Sequence, residues 1–157
     1  MNKVIEADFF PRQSDVDRCG QNSAPDPAVK EKRRILIVDN DRDSSHLVKV
    51  LLEKTGAYLV LEENDPTKAQ RTALDFRPDL ILLDIMMPDT DGGEIAAQLH
   101  ADPELQRTPI IFLTALVTKA EAEAGLHIQG HPFLAKPINI PDLIKGIEAN
   151  LRAHVPV

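Results

Sequence analysis

The chain has 157 residues, 43% of them apolar, enough for one ordinary hydrophobic core and too few for two comfortable ones. Acids outnumber bases by 25 to 18 for a formal charge of −7, which repels nucleic-acid phosphates and leaves no basic stripe to bind them. The longest apolar runs, Leu80–Leu83 and Ile110–Leu113, fall far short of the roughly 20 residues that span a bilayer, and the single cysteine, Cys19, excludes both a disulfide framework and a cysteine metal cluster.

From Met1 to about Lys32 the sequence is polar, is broken by Pro11, Gly20, Pro25 and Pro27, and shows no apolar period. It reads as a flexible leader. Glu6 and Asp8 interrupt what a secretory signal would need as its apolar stretch, so the cytoplasm is the expected compartment. After Arg34, apolar runs of strand length alternate with longer amphipathic stretches. Strands are expected at Ile35–Val38, Tyr58–Leu61, Leu80–Leu83, Ile110–Leu113 and Phe133–Leu134. Helical patterns lie between them. Ser44–Lys54 carries Leu47, Val50, Leu51 and Lys54, and Thr67–Phe76 turns Ala69, Ala73 and Phe76 inward. Gly93–His100 and Lys119–Leu126 follow, and Pro141–Ala153 carries Leu143, Ile144, Ile147 and Leu151.

Boundary signals agree. Asp65-Pro66 reads as a cap followed by a first-turn proline, Asn139 with Asp142 resembles a capping box, and Gly56 closes the first helix. His127 and His131 stand at a spacing that could pair two metal ligands on a helix, but Gly130 and Pro132 favour a turn there. Strands apolar throughout are buried on both faces, and regular alternation with helices implies right-handed crossovers onto one parallel sheet. The expected architecture is a three-layer α/β sandwich with five parallel strands. The expected division is a leader over 1–33, one domain over 34–154 and a tail over 155–157, with no output domain after the last helix.

In such sheets the ligand site lies beyond the carboxyl ends of the strands. Those positions hold Asp39-Asn40-Asp41, Asp84, Thr114-Ala115 and Lys136-Pro137. Any one of them alone is an ordinary cap, turn former or surface charge. Together they have the composition of a phosphoryl-transfer site. Two carboxylates ending adjacent strands repel unless a counter-charge is present. Magnesium suits them, because it takes one or two protein carboxylates and fills its other positions with water and phosphate oxygens. Lysine supplies a compact cation and threonine a hydroxyl donor.

Arg34 to Asn40 (RILIVDN), Leu80 to Gly92 (LILLDIMMPDTDG), Ile110 to Ala115 (IIFLTA) and Phe133 to Pro137 (FLAKP) resemble the four signature blocks of bacterial response-regulator receiver domains. The resemblance implies a flavodoxin-like or CheY-like (βα)5 fold with strand order 2-1-3-4-5. It implies that Asp84 accepts a phosphoryl group from a sensor histidine kinase or histidine phosphotransfer protein. Asp39, Asp84 and the backbone carbonyl of Met86 would hold Mg2+, with Asn40 able to offer an amide oxygen. Lys136 would pair with the acceptor and then with its phosphoryl group, Thr114 would be the switch hydroxyl and Phe133 the switch aromatic. Pro137 would follow the lysine in the cis form. A downstream protein, not nucleic acid or a membrane, would read the switched surface, and the chain would act as a phosphoacceptor with limited self-phosphorylation and autodephosphorylation.

Two positions depart from the pattern. Most receivers carry two adjacent acids after the first strand, and here the second is Asn40; many have tyrosine where this chain has Phe133. Two alternatives accompany this reading. A degenerate receiver would keep the fold and act as a phosphorylation-independent interaction module. A haloacid-dehalogenase-like phosphatase would use Asp39-Asn40-Asp41 as its opening motif, but Asp43 stands where that motif wants threonine or valine, and Asp84 is left without a role.

Overall fold

The computed structural model describes residues 31–115, 127–128 and 130–153. Cys19, nearly all of the expected leader, the helix expected at Lys119–Leu126 and the expected tail lie outside the described residues. The described elements run β1 (Arg33–Val38), α1 (Arg42–Glu53), β2 (Tyr58–Glu63), a 3-10 turn (Pro66–Lys68), α2 (Ala69–Phe76) and β3 (Leu80–Asp84). Then come the short strands β4 (Met86–Met87) and β5 (Thr90–Asp91), α3 (Gly92–Ala101), β6 (Ile110–Thr114), β7 (His127–Ile128), β8 (His131–Ala135) and α4 (Ile140–Ala153).

Five parallel strands form the sheet in the order β2-β1-β3-β6-β8, which is the expected 2-1-3-4-5 counted over the long strands. β7 extends it by an antiparallel edge paired to β8 through Ile128 and His131, a strand the sequence reading took only as a turn. The turn itself is present: Gly130 adopts φ +83. On the other side of the hairpin the His131 ring packs edge-on to His100 and Phe112, with centroids 4.7 and 5.5 Å away.

Every residue of β3 and β6 is buried, as are the last four of β1, whereas β2 alternates at its start. That difference marks β2 as an edge strand and the others as central ones. Successive side chains go to opposite faces, so two apolar layers form. One packs Leu36, Ile81, Leu83, Ile110, Phe112 and Phe133 with α2 and α3 residues such as Ala73 and Leu99. The other packs Ile35, Ile37, Leu80, Leu82 and Ile111 with Val48 and Leu52 of α1 and Leu143 and Ile147 of α4.

The caps form as the sequence implies. Asp65 accepts from the Thr67 amide ahead of Pro66, the Asn139 side chain accepts from the Asp142 amide at 3.1 Å, and Gly56 takes φ +80 beyond α1. The phase of α1 differs from expectation. The helix starts at Arg42, and its inward stripe is Ser45, Val48 and Leu52, while Leu47 is 59% exposed. A polar residue holds the inward position nearest the site because it faces Glu62 and Asn64 instead of apolar side chains.

Candidate functional site

The sheet register gathers the residues read from the strand ends. Val38 pairs with Leu83, so Asp39 and Asp84 follow as neighbours; Asp84 pairs with Leu113, and Thr114 pairs with Ala135. Lys136 comes next, and its amide donates to the Thr114 carbonyl at 2.8 Å. Pro137 follows in cis. Asp39, Asp84 and Thr114 are the buried polar residues at this edge, 1%, 5% and 0% exposed. Lys136 reaches both acids: its Nζ lies 3.1 Å from Asp39 Oδ2 and 3.3 Å from Asp84 Oδ2.

The remaining carboxylate oxygens are held by main-chain donors. Asp39 Oδ1 accepts from the Asp41 amide at 2.9 Å, and Asp84 Oδ1 from the Met86 amide at 3.1 Å. Such bonds orient both carboxylates from behind. One lysine faces two buried acids, so the cluster carries surplus negative charge. Burial pushes the Asp84 carboxyl above its ordinary range and the Asp39 charge pushes it further; Lys136 and the Met86 amide pull back without cancelling the rise. Burial also works against the Lys136 ammonium, but its attraction to Asp39 and Asp84 outweighs this and holds its pKa above the usual lysine value.

The backbone beyond the acceptor position is equally constrained. Asp84 is followed by the β4–β5 hairpin, in which Met86 pairs with Asp91 and Asp89 takes φ +59. The chain then enters α3 at Gly92, whose amide donates to the Ile85 carbonyl at 3.1 Å. A Cβ on Gly92 would sit 2.5 Å from the Asp84 carbonyl oxygen and 2.7 Å from Ile85 Cα. The close approach requires glycine.

Not every expected residue joins the cluster. Asn40 is exposed. Asp41, the other acid of the Asp39-Asn40-Asp41 stretch, caps α1 by accepting from the Asp43 and Ser44 amides. Met86 is 57% exposed, beside the acceptor position. Phe133 is buried next to Phe112 in the core layer, and Thr114 ends the same neighbouring strand.

Three residues escaped the sequence reading: Asn64, Ser45 and Glu62. The Asn64 amide donates to the Asp39 carbonyl at 2.7 Å and to Ser45 Oγ at 2.9 Å, and the Ser45 hydroxyl donates to Glu62 Oε1 at 2.8 Å. The signal was available. Asn64 directly follows β2, whose end was placed at Leu61 and was the one strand end left unsearched.

A doubly wound parallel sheet with two buried carboxylates and a lysine at its carboxyl edge defines a CheY-like signalling domain. The sequence profile of the family described as "Response regulator receiver domain" matches residues 35–148. The chain therefore belongs to the response-regulator receiver family, whose domains are in general phosphoacceptor switches served by histidine kinases or phosphotransfer proteins. This membership displaces the phosphatase alternative. The chain is 35% identical over 119 residues to the DNA-binding dual master transcriptional regulator RpaA of Synechocystis sp., covering 76% of this chain and 49% of that protein. It is 36% identical over 124 residues to the phosphate regulon transcriptional regulatory protein PhoB of Pseudomonas aeruginosa, covering 79% and 54%. It thus spans about half the length of these curated relatives. Among solved structures, the chemotaxis protein CheY4 of Vibrio cholerae aligns with a TM-score of 0.66 and 26% identity over 76% of this chain and 98% of CheY4. Among the described residues, no helix is long and apolar enough to cross a membrane.

Proposed function

We propose that Asp84 accepts a phosphoryl group from the phosphohistidine of a sensor kinase or phosphotransfer protein, and that the modification switches a surface read by a downstream protein in the cytoplasm. The reading rests most heavily on the Lys136 ammonium lying within 3.3 Å of both Asp39 and Asp84 at a buried strand edge. An Asp84 Oδ attacks phosphorus; the O–P bond forms as the N–P bond breaks, and the histidine ring leaves. Lys136 then pairs with the phosphoryl oxygens, retaining its contact with Asp39. Thr114 supplies a hydroxyl to the phosphoryl group, and Phe133 adjusts in the adjoining core. Phenylalanine offers a partner no hydroxyl at this position, so recognition there rests on shape and apolar contact.

The donor set suits Mg2+. Asp39 and Asp84 present hard carboxylate oxygens, the Met86 carbonyl would join them, and the Asp39 charge that adds to burial in lifting the Asp84 pKa is what a cation relieves. When bound, the ion neutralises charge developing on the phosphoryl oxygens. Intact-mass measurement with acetyl phosphate and excess Mg2+ tests the reading. The wild-type chain should gain one phosphoryl mass and Asp84→Asn none; no gain in the wild type would favour the interaction-module alternative, and a gain retained by Asp84→Asn would overturn Asp84 as the acceptor.

Asn40 should weaken Mg2+ binding without abolishing it. Its amide can offer an oxygen but no charge, and an acid there would also repel Asp39 and Asp84, so the net difference is far below the gross Coulomb attraction. Asn40→Asp is expected to lower the Mg2+ midpoint of phosphorylation several-fold. A titration in which the midpoint fails to fall refutes this.

A further inference from the structure

The Asp39 main chain lies past the last paired residue of β1. Its amide still finds the Glu63 carbonyl, at 3.2 Å, but the ladder with β2 ends at Val38–Glu63 and that with β3 at Val38–Leu83. Among the described residues no strand therefore supplies a donor to its carbonyl. A buried carbonyl left without a donor is destabilising, and the Asn64 amide at 2.7 Å supplies one.

The Asn64 side chain has one orientation available. The Asp39 carbonyl can only accept, so the nitrogen of the amide must face it. The second N–H goes to Ser45 Oγ at 2.9 Å. Ser45 is buried, and its hydroxyl hydrogen is drawn toward Glu62 Oε1 at 2.8 Å, which leaves oxygen lone pairs for Asn64. Glu62 is in turn tied through Oε2 to His46 Nδ1 at 3.1 Å. Asn64 thus donates both to the residue after β1 and to α1, and the Ser45 hydroxyl, which also lies 3.2 Å from the Arg42 carbonyl, ties α1 to the edge strand β2.

We infer that Asn64, backed by Ser45 and Glu62, is a positioning residue that fixes the Asp39 peptide so that its carboxylate faces Lys136 and Asp84. The inference rests on the proposed role of Asp39 in holding Mg2+. Asn64 touches neither the acceptor nor the ammonium and acts through Asp39 alone. Its loss should therefore weaken Mg2+ binding and spare the rate at saturating Mg2+.

The test is calorimetric titration of the full chain with Mg2+ alone, together with acetyl-phosphate labelling rates across Mg2+ concentrations. Asn64→Leu keeps the side-chain volume and removes both donors. It should raise the Mg2+ Kd at least fivefold with the saturating rate within twofold of wild type, and Asn64→Gln should recover part of the affinity. Tyr58→Phe serves as the control, since it breaks the bond from the Tyr58 hydroxyl to Glu148 at the far end of β2 and should lower the Tm without moving the Kd. An equal Kd shift in Tyr58→Phe would mean general loosening and would overturn the inference. So would an unmoved Kd in Asn64→Leu when Asp39→Asn raises it. An unmoved Kd in Asp39→Asn would instead overturn the metal reading and the inference with it.

Discussion

Lys136→Met is expected to lower the Tm by roughly 6–12 °C near pH 7 in metal-free buffer, from a stability loss of about 2–3 kcal/mol. Removing one partner of a fully buried ion pair costs about 3–5 kcal/mol; the Lys136 side chain is 21% exposed, so water screens part of the loss. Methionine keeps the alkyl stem and deletes only the charge, leaving Asp39 and Asp84 to face each other. Two further results separate this electrostatic cause from lost packing. The deficit should shrink in acid, and it should be smaller in an Asp84→Asn background, where only Asp39, 3.1 Å from the ammonium, still loses its partner.

The sign of the acid effect follows from Asp84. Its folded-state pKa already stands above the ordinary 3.8, and losing Lys136 removes a contribution that lowers it. A group with a raised folded-state pKa contributes stability below its unfolded value and loses it as pH rises through the folded value. Ionised Asp84 is therefore the destabilising form, and the variant should gain on the wild type as pH falls toward 3.8. Melting curves across that range would contradict the account if the gap stayed constant, or if the double variant melted as low as Lys136→Met.

Gly92→Ala should be comparably damaging by a different route. The added carbon would lie 2.5 Å from a backbone oxygen and 2.7 Å from a backbone carbon, so no side chain can rotate to relieve it. Overpacking of this kind costs about 1–3 kcal/mol and occasionally more. The atoms forced aside belong to Asp84 and Ile85. Because displacement of a reacting group by an ångström can cost on the order of 100-fold in rate, phosphoryl incorporation should fall at least tenfold as well. Gly146→Ala provides the contrast. It lies within α4, and its nearest neighbours are the tips of Leu134 and Ile111 at 3.7 Å and beyond, so alanine should be neutral or stabilising by up to about 1 kcal/mol. Equal melting temperatures for the two variants would sink the argument.

Much of this fold could be read from the chain. Uninterrupted apolar runs at β1, β3 and β6 identify central strands, and the functional residue types at their ends place Asp39, Asp84, Thr114 and Lys136 at one edge. The phase of α1 could not be read, because Leu47 and Leu51 made an apolar stripe look complete and the structure turns Ser45 inward. Periodicity counts apolar residues, and it is blind to a buried serine whose hydroxyl is fully partnered. The same blindness hid Asn64 and Glu62, which act through hydrogen bonds between β2 and α1, elements whose mutual register no local pattern reveals. β7 was missed because two residues carry no period.

Asp41 has one further consequence. Its carboxylate is spent on the first turn of α1, while its amide steadies Asp39. Tallying acidic letters in the D-N-D motif therefore overstates the field at the acceptor, since one of its two carboxylates points its lone pairs elsewhere. Protein engineers seeking tighter cation capture should leave that residue alone and add charge at its asparagine neighbour, where nothing structural would be surrendered.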